Sequence, residues 1–397
     1  MLARQHRYSS TLTSRPGTHT HNTELETSSP VRRTLGAKRH ADGSLICPAH
    51  GWRFLCLIGL ISVVAALSAF GCGPSETSKG SATPQAPGTK AASGFKVALV
   101  TTGPRTDGGW NAGAFKGLQE VKTELGLSDG DVAAVDNQKS AGDQEENLKA
   151  FASQHYNIVI GHGHEYDEIA RKIEKDFPDT VFVISSGEKT GHNTTPIVLH
   201  LEDGAYLEGM LAAGMSKTGK IAEVGAEAIP PVKSVFAAFE KGARAINPSI
   251  TILPAVYTNN WDDPNAAAAA TKPLIDGGAD VIMQDVDAAA QGVFNTVQGA
   301  NKTGKKVYAL GTNNDQNAAA PDVILASAPI YIGKAFVAIA KEVKAGTFKP
   351  SDKPWDMKSG VIGFVLNPKL ESQIPADLKA KIDAAKAKIL DGTLAIK

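Results

Sequence analysis

Phe95-Lys96-Val97-Ala98-Leu99-Val100-Thr101-Thr102-Gly103 leads through a short polar turn into Asp107-Gly108-Gly109-Trp110-Asn111. The first stretch is an apolar run of strand length, and glycines supply the turn that follows. A tryptophan then stands where the next helix should begin. In open α/β sheets, ligands bind beyond the carboxyl ends of the strands. A large flat side chain at that point is a platform for stacking a planar ligand.

The same rhythm continues outward from this stretch. Apolar runs recur at 132–135, 158–160, 181–184 and 197–199, separated by helix-like stretches at 114–125, 143–154 and 168–177. A second half repeats it, with strands expected at 221–224, 252–256, 281–284, 307–310 and 323–325. Helices are expected there at 205–215, 232–246, 264–275 and 288–301. Strands alternating with helices of this length imply βαβ units and parallel sheets. The Ala-rich run at 265–270 follows from helix propensity and needs no functional reading. A helix near 332–344, a strand near 361–366 and a terminal helix near 375–390 complete the pattern. The fold class is therefore α/β, with two doubly wound parallel-sheet lobes joined by a hinge and a cleft between them. The expected division is 95–200 plus 312–345 for the first lobe and 201–311 plus 346–397 for the second.

The front of the chain is of another kind. Its 397 residues have a formal net charge of zero, but this averages a basic start with a mildly acidic body. An acidic body gives no electrostatic reason to expect nucleic acid as a partner. Residues 1–53 lack periodicity and read either as a disordered tail or as the product of a misassigned start. Arg53 precedes an apolar run from Phe54 to Phe70 that ends in Ala69-Phe70-Gly71-Cys72. The segment 54–72 reads as a signal peptide, although its length also permits a short membrane span. A Cys after Gly71 is similar to a lipobox, but Ala69 stands where Leu is usual and Leu67 lies two residues too early. Cys47 and Cys56 lie in or before the apolar run, so the body has no disulfide framework and no cysteine metal site. Residues 73–94, rich in Gly, Ser, Thr, Pro and Ala, are expected to form a flexible linker.

No nucleophile elbow, phosphate-binding glycine loop or His-Glu-x-x-His motif is present. Gly161-His162-Gly163-His164-Glu165 could ligate a metal, contact a ligand, or be a plain loop. Trp110 reads as a stacking face or as a core aromatic. Trp261, in Asn259-Asn260-Trp261-Asp262-Asp263-Pro264, follows a strand and precedes a helix in the second half. The two rings could sandwich a planar group, with Asp107, Asn111, Asp285 and Asn313 reading its edges. Gly311-Thr312-Asn313-Asn314-Asp315-Gln316 is either part of this site or an exposed turn.

From Phe95 to Pro368 the chain resembles the basic membrane protein family of ABC-transporter substrate-binding lipoproteins, which are similar to bacterial purine nucleoside receptors. The resemblance is carried by the opening stretch, by Glu202-Asp203-Gly204-Ala205-Tyr206-Leu207-Glu208-Gly209, by Gly219-Lys220-Ile221 and by 239–247. Gly277-Gly278-Ala279-Asp280-Val281-Ile282 and Gly311 to Gln316 complete it. It implies a type I periplasmic-binding-protein fold that closes on a purine held between two aromatic rings, with carboxylates and a Lys on the ribose. Trp110 takes the place of the family's Phe, Asn111 matches the family's Asn, and Trp261 falls where a Phe is frequent. Asn313 replaces the usual Asp, while Asp315 and Gln316 are kept; Ile330 stands where the Lys is expected. These departures make a free base or another heterocycle as fitting a ligand as a nucleoside.

The expectation is a receptor without cofactor or metal, lipidated at Cys72 and held to the outer side of the cell membrane as a monomer. It would bind a purine base or nucleoside through Asp107, Trp110, Asn111, His162, Trp261, Asp285, Asn313 and Asp315, and deliver it to an ABC permease. A sensor on the same fold, reporting to a membrane signalling partner, is the alternative. A hydrolase using Asp107 or Asp285 is disfavoured, since no positioned acid–base pair is legible.

Overall fold

The computed structural model describes residues 94–396. The expected extension, the signal segment with Cys72 and nearly all of the linker 73–94 lie outside the described residues. From Val97 the chain follows the alternation read from sequence. Its first half comprises β1 (Val97–Thr101), α1 (Trp110–Leu125), β2 (Val132–Val135), α2 (Ala141–Ser153) and β3 (Ile158–His162). It continues with α3 (Tyr166–Ile173), β4 (Val181–Ser185) and β5 (Thr194–Leu199). The second half begins with α4 (Glu202–Met215), β6 (Lys220–Gly225), α5 (Pro230–Ile246), β7 (Thr251–Ile252) and β8 (Val256–Tyr257). Then come α6 (Pro264–Asp276), β9 (Val281–Asp285), α7 (Ala290–Lys302), β10 (Tyr308–Asn313) and β11 (Ile324–Pro329). The closing elements are α8 (Ile332–Lys344), β12 (Pro354–Trp355), β13 (Val365–Leu366) and α9 (Ala376–Asp391).

Two sheets result. The first has the order β12-β5-β4-β3-β1-β2, and the second the order β13-β11-β10-β9-β6-β7, with β8 also pairing β6. Pairing is parallel throughout except for β13 on β11. In both sheets the strand order reverses beside the first strand, the position at which open sheets bind ligands. The central strands β1 and β3 are buried along their whole length. That is why they read as continuous apolar runs rather than alternating ones.

Several boundaries differ from expectation. The strand expected at 252–256 is broken in two around Pro254, which has no N–H for the ladder. The helix expected at 168–177 ends at Ile173 and tightens into a single 3₁₀ turn. Strand β13 keeps only Val365 and Leu366 of its expected run. The end of β10 and all of β11, expected in the first lobe, lie in the second sheet, whereas β12, expected in the second, extends the first. A strand buried on both faces reads alike in either sheet, so rhythm along the chain does not carry lobe identity. α8 returns to pack on α1, and Ile330 bridges Ile362 where the chain passes between lobes.

Packing sets these passages close together. α4 lies against α5 with almost no space: a Cβ on Gly209 would stand 1.9 Å from the Phe239 carbonyl oxygen, and one on Gly242 1.9 Å from that of Tyr206. Only glycine permits this approach, which accounts for Gly209 in the sequence motif. One apolar cluster runs through the inner helices α1, α8, α4, α5 and α9. Two others sit beneath the outer helices of each sheet.

Candidate functional site

The carboxyl ends of both sheets face one another across a cavity of about 660 Å³, within the range usual for small-molecule sites. The first lobe contributes Thr102 and Gly103 after β1, Lys139 after β2, Gly163 to Glu165 after β3 and Ser186 after β4. The second contributes Glu227 after β6, Asn259 to Asp262 after β8, Asp285 and Asp287 at β9, and Asn313 at the end of β10.

The start of α1 organises the first wall. A helix leaves its first N–H groups without partners. Here Asp107 accepts from the N–H groups of Gly109 (2.9 Å), Asn111 (2.8 Å) and Ala112 (2.9 Å). The Asn111 amide also donates to Asp107 at 2.8 Å, and its oxygen accepts from the Gly103 N–H at 3.3 Å. Both side chains are buried and therefore hold the turn in place.

Trp110, half-buried, projects from this turn onto the cavity. The His162 ring lies behind it, stacked with centroids 4.0 Å apart and an interplanar angle of 23°. His162 Nε2–H donates to the Trp110 carbonyl (3.1 Å), and Nδ1 accepts from the Ser185 hydroxyl (2.8 Å). This pattern suits a neutral ring. Burial drives its pKa down to about 3, against the opposing effect of the Trp110 carbonyl. A histidine at the buried end of β3 thus props the tryptophan.

The second wall is differently made. Asp285 is buried, and burial raises its pKa to about 6, opposed by a hydrogen bond from the Asn313 amide at 3.2 Å. Asp287 accepts from the same amide at 3.0 Å and, across the cleft, from the Trp110 N–H at 3.3 Å. Its pKa is raised well above the usual range by burial, then by the charges of Asp107 and Asp285. Asp287 and Asn313 both have positive φ, +46° and +63°, strain of the kind that collects at functional sites. Beneath them, fully buried Glu208 has no hydrogen-bond partner on either carboxyl oxygen. Trp261 sits in a loop tied down by the Ala289 N–H on its carbonyl (3.0 Å) and by Asn260, which accepts from the Asp262 and Asp263 N–H groups.

Three contacts hold the lobes together across the cleft. They are Trp110 to Asp287, Asn314 to the Gly109 carbonyl at 2.9 Å, and Lys139 to Asp262 at 2.5 Å. A Cβ on Gly109 would stand 3.0 Å from an Asp287 side-chain oxygen, so a larger residue here would press on this contact.

Of the residues singled out from sequence, Asp107, Trp110, Asn111, Trp261, Asp285 and Asn313 come together on the cavity wall. His162 stands behind the wall, and Asp315 is exposed on its turn, accepting from the Asn317 N–H. The metal reading of 161–165 has no support: among the described residues no group of three His, Cys, Asp or Glu is placed to hold a metal. Asp287, Glu208, Glu227, Gln144 and Ser186 were not singled out. Asp287, Ser186 and Glu227 follow strand ends, where polar residues read as turns. Gln144 lies in α2 and Glu208, though within the 202–209 stretch, lies in α4, and a place in a helix marks neither as a site residue.

Known proteins bear on this cavity. The chain is 29% identical over 300 residues to a purine-binding protein of Brucella abortus, covering 76% of this chain and 82% of that one. It is 27% identical over 302 residues to basic membrane protein A2 of Borrelia garinii, covering 75% and 86%. Among solved structures, an ABC transporter solute-binding protein from Aeropyrum pernix superposes with a TM-score of 0.68 at 20% identity, covering 76% of this chain and 92% of that one. A second, from Conexibacter woesei, gives 0.60 at 22% identity, covering 76% and 98%. These two show the fold. The family of PnrA-like ABC transporter substrate-binding proteins matches residues 95–397, and the chain belongs to it. It is accordingly a solute-binding receptor rather than an enzyme, which sets aside the hydrolase reading. Such receptors bind a small molecule outside the cytoplasm and work with a membrane permease. No helix among the described residues is long and apolar enough to cross a membrane.

Proposed function

We propose that this PnrA-like receptor captures a planar nitrogen heterocycle of purine type between Trp110 and Trp261 and presents it to its permease. The observation that carries the reading is the pair of tryptophans, one from each lobe, on the walls of a single 660 Å³ cavity. Stacking on an aromatic side chain contributes roughly 1–3 kcal/mol per base. The purine-binding relative from Brucella abortus supports the same class. In this reading Asp107 and Asn111 shape the turn that presents Trp110, while Asp285 and Asn313 read the ring edge. The ligand binds the closed arrangement better and so favours it. Lipidation at Cys72 would tether the receptor, with 73–94 as its leash; mass spectrometry of the membrane-extracted protein tests this by the added acyl mass.

The deciding experiment is calorimetric titration of the full chain, stripped of ligand by unfolding and refolding. The panel holds adenine, guanine, hypoxanthine, xanthine, their nucleosides and several sugars. Micromolar or tighter binding of bases or nucleosides is expected. Binding of sugars alone would overturn the reading, and a preference between bases and nucleosides would settle the role of Asn313 and Ile330.

A further inference from the structure

Below the cleft floor lies a small pocket of about 20 Å³, room for one water-sized group. It shares Leu201, Asp285 and Asn313 with the main cavity, so the two adjoin. Glu208 faces it, 0% exposed and with both carboxyl oxygens unpartnered. Asp285, Asn313 and Thr312 are the other polar side chains there; Ile330 and Ile362 belong to its apolar lining, and no basic side chain faces it.

The main cavity does not supply the missing charge. Its two basic groups are already engaged: Lys139 pairs with Asp262, and His164 with Glu165 at 3.2 Å. Asp107 is filled by its four N–H donors. Asp285 and Asp287 share one amide, that of Asn313, and Asp287 adds the Trp110 N–H. Three carboxyl groups at one floor therefore have too few donors and no facing cation. An ionised carboxylate out of water is stable only when paired, and tryptophan faces are the best aromatic partners of a cation.

We propose that Glu208, Asp285 and Asp287 form an anionic seat for a positively charged nitrogen of the bound ring, so that this receptor selects cationic heterocycles over neutral ones of the same shape. The inference rests on the stacking cleft proposed above and adds the charge of its ligand. Burial, which holds Glu208 and Asp287 well above the usual carboxyl range, supports it: a seated cation would draw these protons off.

The test compares 9-methyladenine, which is neutral, with 7,9-dimethyladeninium, which carries a permanent positive charge on the same ring. Both are titrated calorimetrically into the ligand-stripped full chain at pH 7, in two buffers of different ionisation enthalpy. The expected result is at least tenfold tighter binding of the cation, with protons released to the buffer. Glu208→Gln and Asp285→Asn should each shrink that preference. Equal or tighter binding of the neutral probe by the unaltered protein, with no proton release, overturns the anionic seat. If that happens while Trp110→Ala weakens both probes, the stacking cleft stands and only the seat falls. Failure of both probes to bind would overturn both.

Discussion

Strands β3 and β9 occupy the same place in their two sheets, and each ends in a buried polar residue, yet the two ends are finished differently. His162 closes β3 with both ring nitrogens bonded and a tryptophan stacked on its face. Asp285 closes β9 with one shared amide as its donor, next to a glutamate that has none. The first wall is largely complete on its own: Asp107, Asn111 and His162 hold the turn and the ring of Trp110 with bonds inside their own lobe. The second wall holds carboxyl groups that protein atoms do not satisfy. A platform made rigid in advance costs little ordering on binding, whereas unsatisfied groups are where an arriving ligand gains most.

Four experiments put this contrast to the test. The largest effect is expected from His162→Ala. It leaves the buried Ser185 hydroxyl without its partner, removes the second hydrogen bond on the Trp110 carbonyl and opens space behind the tryptophan. Each buried orphan costs about 1–3 kcal/mol, so denaturant unfolding should show a loss of ~2–5 kcal/mol. A loss under ~1 kcal/mol would mean that the first wall does not depend on its prop.

Trp110→Ala should come next, weakening ligand binding ~10- to 100-fold by calorimetry while circular dichroism stays unchanged. Unchanged affinity would remove the stacking platform from the account.

The two strand ends should also respond to pH with opposite sign. The pKa of His162 is lowered from 6.5 to about 3. Its contribution is therefore complete above pH 6.5 and is lost as pH falls toward 3, at up to about 1.4 kcal/mol per unit. That of Asp285 is raised from 3.8 to about 6. Its contribution is complete below pH 3.8 and is lost as pH rises toward 6. Melting curves across this range should show Asp285→Asn gaining on the unaltered protein as pH rises from 4 to 6. His162→Gln, which removes the titrating ring, should flatten the acid limb. The same sign for both variants would refute the contrast.

The smallest effect is expected from Asn314→Ala, which removes one hydrogen bond between the lobes. At roughly 0.5–1.5 kcal/mol, dissociation measured by stopped flow should quicken about two- to tenfold, with little change in association. An effect on association alone would show that the contact does not hold the closed form.

Legible from the residues alone were the alternation of strands and helices, the two lobes, the place where α1 begins at Trp110, and six of the residues that meet on the cavity wall. These are local properties: buried parallel strands make apolar runs, and glycine-rich turns mark where they stop. Folding was needed to show which sheet claims each late strand, that Pro254 splits an edge strand, and what His162 is for. Its neighbours Trp110 and Ser185 come from other segments, and nothing within 161–165 separates a ligand from a prop. Asp287 and Glu208 were hidden for the same reason. Their charge matters because of what packs around them, and an unpartnered carboxyl exists only once the chain has folded and its possible donors have been spent elsewhere.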